Sequence, residues 1–198
     1  MDVITALGSI GAAFGLSGSA GLNAYIPLLL VALAGRFPVD DPLIKLAHPY
    51  DALSSWWVVG VLVILLLIEM FVDKVPAVDS VNDVIQTVIR PTAGAILFAA
   101  NAQVITDISP VITIIAGLLL AGSVHITKGV IRPVVTTTTA GTGNWLVSII
   151  EDVIAFFVSV LSILIPVLAL LLTVFFLFIS FNWLRRRRQR RNYVYRPQ

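Results

Sequence analysis

Residues 145–183 read WLVSIIEDVIAFFVSVLSILIPVLALLLTVFFLFISFNW, with charge only at Glu151 and Asp152. A membrane-spanning helix needs about 20 predominantly apolar residues. As one helix this run would reach about 57 Å at 1.5 Å per residue. It is therefore either one long helix that overhangs a bilayer or two crossings folded at Pro166. The lack of polar turn residues around Pro166 weakens the folded version. Val58–Ile68 is equally apolar. The solvent for such segments is lipid, and the expected class is all-α: a polytopic helical membrane protein of perhaps four to six crossings.

Composition agrees. Apolar residues make up 58% of the 198 and charged residues only 12%, against about a quarter charged in ordinary soluble domains. The chain has no cysteine, which removes disulfides, thiolate metal sites and cysteine nucleophiles together. The net charge of +2 averages two unlike regions. Arg185, Arg186, Arg187, Arg188, Arg190, Arg191 and Arg196 hold seven of the thirteen basic residues, leaving six basic against eleven acidic before them. A transmembrane domain over residues 1–184 and a basic tail over 185–198 follow. No Lys or Arg precedes the first apolar stretch, so a cleaved signal peptide is not expected.

Basic residues also orient the chain, because short loops rich in Lys and Arg stay in the cytoplasm. The arginine tail directly after Trp183 places the C-terminus inside and offers a surface to anionic lipid. A nucleic-acid arm is the weaker reading of a basic segment that follows a membrane helix. The 36–55 connection, with Arg36 and Lys45 against Asp40, Asp41 and Asp51, fits the outside, as does the turn at Asp107–Pro110.

Residues 3–35 are apolar but interrupted by Gly15, Ser17, Gly18, Ser19, Gly21, Asn23 and Pro27. They read as two half-helices around an unwound stretch, or as a re-entrant hairpin. Close helix packing alone would also explain the small residues, but Asn23 favours the break. Residues 56–72 form a plain span opened by Trp56 and Trp57. From Pro76, Val78, Val81, Ile85 and Val88 are spaced 3, 4, 3 with Asp79, Asn82, Asp83 and Gln86 opposite. This predicts a short amphipathic helix ended at Arg90 by Pro91. Residues 91–106 and 111–127 read as a helical pair. The tetrapeptide Val-Ile-Arg-Pro occurs at Val88–Pro91 and again at Val130–Pro133. A second Gly-rich segment, Thr136 to Asn144, echoes Ser19-Ala-Gly-Leu-Asn23. Paired Gly-interrupted segments point to transporter sites, so Asn23 and Asn144 are expected near each other.

Gly18-Ser-Ala-Gly-Leu-Asn-Ala-Tyr-Ile-Pro27, Glu69-Met-Phe-Val-Asp-Lys-Val-Pro-Ala-Val-Asp79, Arg90-Pro-Thr-Ala-Gly94 and Glu151-Asp152 together resemble a bacterial integral membrane family, domain of unknown function four-one-two-six. The resemblance covers roughly residues 10–170. It implies a bacterial inner-membrane protein and lends no activity or substrate.

Function is sought at the charges. An ionisable residue at bilayer depth costs a few kcal/mol or more, and it persists where it is paired, hydrated or used. Asn23, Glu69, Asp73, Lys74, Arg90, Lys128, Arg132, Asn144, Glu151 and Asp152 are accordingly the expected pathway or pocket. Arg90 and Arg132 are the natural partners of Glu151 and Asp152. The acidic residues Asp73, Asp79 and Asp83 are more readily a solvated helix face than a metal cage. His48 and His125 have no ligand spacing. Thr136–Thr139 offers pore-lining hydroxyls or an extended β-branched loop. No cofactor motif and no nucleophilic triad is present. A transporter or channel for a small or anionic solute, including a lipid headgroup, ranks first. A membrane enzyme acting on lipids and a non-catalytic scaffold are the alternatives. The small size favours a homo-oligomer in the first and last cases.

Overall fold

The computed structural model describes residues 3–72, 76–102, 109–139, 143–166, 168, 171–172, 174–179, 181–182 and 185. Every regular element among them is helical: α1 (Val3–Ala20), α2 (Tyr25–Ala34), a 3-10 turn (Tyr50–Ser54), α3 (Trp56–Val72), α4 (Pro76–Ala102), α5 (Pro110–Thr139) and α6 (Asn144–Leu164). Two of them, α5 and α6, are long and apolar enough to cross a membrane.

Residues 3–34 form a hairpin that enters the bundle and leaves by the same end. Gly8 lies beside Pro166, just past the end of α6. Ser17 sits over Gly94 of α4 and Gly117 of α5, and its hydroxyl is 3.0 Å from both carbonyls. Ser19 donates to Ala155 O at 2.8 Å, part-way along α6. Gly21 rests on Ala121 and Val124, near the middle of α5, where a Cβ would collide. The helix closes there as Leu22 and Asn23 donate their amides to Ser19 O. Asn23 Oδ1 then accepts the amides of Tyr25 and Ile26 at 3.0 and 3.1 Å, capping α2. From there α2 returns, so that Leu33 and Ala34 face Ile163 and Leu164 at the end of α6. The break expected in residues 3–35 is thus a four-residue turn at the tip of a re-entrant hairpin.

Two local expectations give way to tertiary packing. The amphipathic stretch does not stop at Pro91: α4 runs unbroken from Pro76 to Ala102. Pro91 removes one backbone hydrogen bond and disfavours helix at Arg90. Burial of Arg90 and close packing of Gly94 on α5 hold the helix across that step. Likewise α5 continues through Pro133 to Thr139, and the threonine run is helical instead of an extended loop. Its hydroxyls fold back on the preceding turn, Thr136 on Arg132 O at 3.0 Å and Thr139 on Val135 O at 2.8 Å. The long apolar run, in contrast, is folded. Ile165 leaves helical geometry at φ −136° and ψ 67°, and helix resumes at Pro166, a residue suited to a first helical position. Described residues beyond it lie back along the bundle, with Leu172 and Phe176 beside Ile154 and Val158 of α6 and Gly18 of α1.

The molecule consequently has two ends. Trp56, the 36–55 connection and the ends of α2 and α6 share the loop end. There Arg36 stacks 4.4 Å above the Trp56 ring and donates to Ser54 O. The end of α3 and the starts of α4 and α6 share the tail end. Polarity is inverted relative to a water-soluble bundle. Leu, Ile, Val and Phe dominate the exposed faces of α3, α5 and α6, while Arg90, Lys128, Arg132, Glu69, Asn23 and Gln86 are buried.

Candidate functional site

Between the hairpin tip and the tail end, four helices bring their ionisable residues into one buried layer. Glu69 stands in the last turn of α3. Gln86 and Arg90, one helical turn apart, share the inner face of α4. His125, Lys128 and Arg132 are spaced 3 and 4 on one face of α5, and Glu151 and Asp152 lie two turns into α6.

The arginine of α4 is wholly enclosed. Its Nη2 donates to Glu69 Oε1 at 3.0 Å, with the two side chains 1% and 2% exposed. Its Nη1 stands 3.3 Å from His125 Nδ1, whose other nitrogen is 3.2 Å from the Thr87 hydroxyl. Tyr25, at the start of α2, and Gln86 are both buried. A second group forms beside it. Lys128 Nζ lies 2.7 Å from Glu151 Oε2, and Arg132 Nη2 lies 3.4 Å from the same oxygen. Lys128 also reaches Leu22 O in the hairpin tip at 3.4 Å. Asn23 Nδ2 donates to Asp152 Oδ1 at 2.9 Å. The tip is therefore tied to α5 through a carbonyl and to α6 through an amide.

A cavity of about 200 Å³ opens against this layer, lined by Val84, Thr87, His125, Lys128, Gly129 and Arg132. No carboxylate is among the described residues that line it. Elsewhere among the described residues no three His, Asp or Glu side chains gather as a metal cage.

The expected partners are redistributed. Arg132 meets Glu151, but Arg90 meets Glu69 and neither Glu151 nor Asp152. Helix α4 packs beside the end of α3, and the hairpin fills the space between Arg90 and α6. Asn23 and Asn144 are separated. Asn144 opens α6 at the tail end and accepts a hydrogen bond from Thr136 at 3.1 Å, whereas Asn23 lies level with Asp152, eight residues on. The helical continuation of α5 moves the second Gly-rich break to the end of the bundle. Asp73 and Lys74, and the side chains of Asp79 and Asp83, lie outside the described residues, as does most of the arginine tail.

Sequence reading missed Tyr25, Gln86 and Thr87, and it weighed His125 only as a metal ligand. The four-residue spacing of Gln86 and Arg90 was a usable signal, since it sets both on one face. Nothing local distinguishes Tyr25.

No curated protein and no solved structure matches the chain. A family model does, over residues 10–186. That stretch runs from the middle of α1 to the first arginines of the tail and takes in every residue of the charged layer. The chain belongs to the family described as Domain of unknown function (DUF4126).

Proposed function

We propose that this chain is a multi-pass protein of the bacterial inner membrane, with its tail in the cytoplasm, that moves a small anionic solute through the charged layer. The observation that carries the reading is the cavity between α4 and α5. Lys128, Arg132 and His125 stand on its wall, and the hairpin tip lies directly behind Lys128. An anion entering this cavity meets two buried cations that share Glu151 as their partner. A hairpin that reaches the middle of the bundle and turns back is a suitable barrier on such a route, because non-helical backbone at membrane depth is tolerated only inside protein or beside a cavity.

The scaffold alternative takes support from the Glu69–Arg90 pair, which is closed on all sides and needs no ligand. Against it, Gln86 Oε1 and Arg90 Nε are buried without a hydrogen-bond partner among the described residues, an expensive arrangement for a purely structural core. The lipid-enzyme alternative requires a carboxylate cage for a metal, and of its candidate members Asp73 and the side chains of Asp79 and Asp83 lie outside the described residues.

Reconstitution into liposomes tests the reading. Proteoliposomes loaded with chloride, acetate or phosphate should release at least one of these faster than protein-free vesicles. Lys128→Gln, checked for folding by thermal unfolding, should reduce that release at least tenfold. Release at the protein-free rate for all three would sink the proposal.

A further inference from the structure

The cavity between α4 and α5 opens sideways. Val84, part of its lining, is 71% exposed; Val88, one turn further along α4, is 69% exposed, and Ile126, next to His125, is 63% exposed. Its mouth therefore lies on the apolar outer surface of the bundle and not on the bundle axis. The interior is of the opposite character. Lys128 and Arg132 are more than nine-tenths buried, and the imidazole of His125 on α5 stands 3.2 Å from the hydroxyl of Thr87 on the facing helix α4.

These four groups differ in shape as well as charge. A guanidinium presents a planar fork, an ammonium a point charge with three donors, and imidazole and hydroxyl one donor each. A halide makes no use of such variety. A phosphate group does, because its oxygens accept charge-assisted hydrogen bonds in several directions and match an arginine fork bidentately. At about 200 Å³ the space also accommodates a phosphate with the carbons attached to it.

We infer that this cavity is a phosphate-oxyanion site entered laterally, so that the phosphate of a lipid headgroup reaches Lys128 and Arg132 while its acyl chains lie along Val84, Val88 and Ile126. The inference rests on the anion reading above and names the class of anion. Free phosphate has the same headgroup chemistry but gains nothing from the apolar rim, so the two sources separate by experiment.

Thermal unfolding of the full chain in a neutral detergent would be followed against dioleoyl phosphatidic acid, dioleoylglycerol, inorganic phosphate, acetate and chloride, with the salts at matched ionic strength. Phosphatidic acid should raise Tm saturably and dioleoylglycerol should not. Thr87→Val, which removes the hydroxyl facing His125 and keeps the volume, should weaken the apparent affinity about tenfold when the shift is read from the variant's own unliganded Tm, the worth of one charge-assisted hydrogen bond. Should inorganic phosphate match phosphatidic acid at equal concentration, the site is a phosphate site for a soluble solute and the lipid is overturned. Equal shifts from acetate, chloride and phosphate would overturn the phosphate assignment while leaving the anion reading intact. No shift from any anion would overturn both. An unaltered phosphatidic acid response in Thr87→Val would place the lipid elsewhere and end the inference.

Discussion

Arg90 shows how burial sharpens the meaning of a charge. Both it and Glu69 are removed from solvent, so each depends on the other to offset desolvation. Truncating either leaves an uncompensated buried charge, a loss of about 3–5 kcal/mol for pairs of this kind. Arg90→Ala and Glu69→Ala should each lower thermal stability steeply in detergent, and the double variant should cost clearly less than the sum. Strict additivity across the cycle would mean that the two groups do not interact. Asn23 carries two duties with one side chain. Its oxygen caps α2 and its amide nitrogen holds Asp152. Asn23→Ala should cost at least the value of a helix cap, about 1 kcal/mol, and Asn23→Asp should not restore it. The aspartate would keep the cap acceptor but turn a carboxylate towards Asp152. Equal stability of Asn23→Asp and the parent protein, measured by chemical or thermal unfolding, would refute the second duty.

The helices approach one another through small residues. Ser17 bridges the carbonyls of Gly94 and Gly117, and a Cβ on Gly117 would run into Gly94 O and into Phe98 and Ala95 of α4. This contact brings α1, α4 and α5 close enough for His125 and Lys128 to stand opposite Thr87 and Arg90. Gly117→Ala should therefore do more than lower stability by the roughly 1–3 kcal/mol of an overpacked core. It should widen the α4–α5 interface and weaken the His125 contacts about two turns away. A Gly117→Ala protein with unchanged Tm and unchanged solute release would show that this close approach is dispensable. The helical prolines belong to the same picture. The sequence predicts a helix end at Arg90-Pro91, yet Arg90, like Arg132 before Pro133, is drawn inward to a glutamate on a neighbouring helix. Tertiary contact outweighs the local preference of one residue.

For the molecule as a whole, the two ends differ in charge as the proposed orientation requires. The loop end pairs Lys45 with Asp41 at 3.1 Å, largely exposed, and carries Asp40 and Asp51 as well. In sequence the arginine run opens the chain's basic tail, and its first member, Arg185, stacks 5.1 Å from the Phe181 ring. Short basic segments are retained in the cytoplasm. Because the chain has no cysteine of its own, single cysteines at Ser54 and Arg196 report cleanly. An impermeant thiol reagent should label Ser54→Cys in intact cells and label Arg196→Cys only after permeabilisation. Labelling of the tail position in intact cells would invert the assignment.

Much of this was legible without coordinates, and for a physical reason. Run length, apolar content and the positions of Gly, Asn and Arg are local properties, so the all-helical class, the break around Asn23, the family and the set of charges worth watching could be read along the chain. The pairing of Arg90 with Glu69, the passage of two helices through proline, the fold at Pro166 and the distance between Asn23 and Asn144 were decided only in three dimensions. Each depends on which helix stands beside which. A buried guanidinium takes the carboxylate that packing brings within 3 Å, and a helix tolerates a missing hydrogen bond when its neighbours hold it straight. Such choices are made by contacts between residues far apart in sequence, and no stretch of the chain contains them by itself.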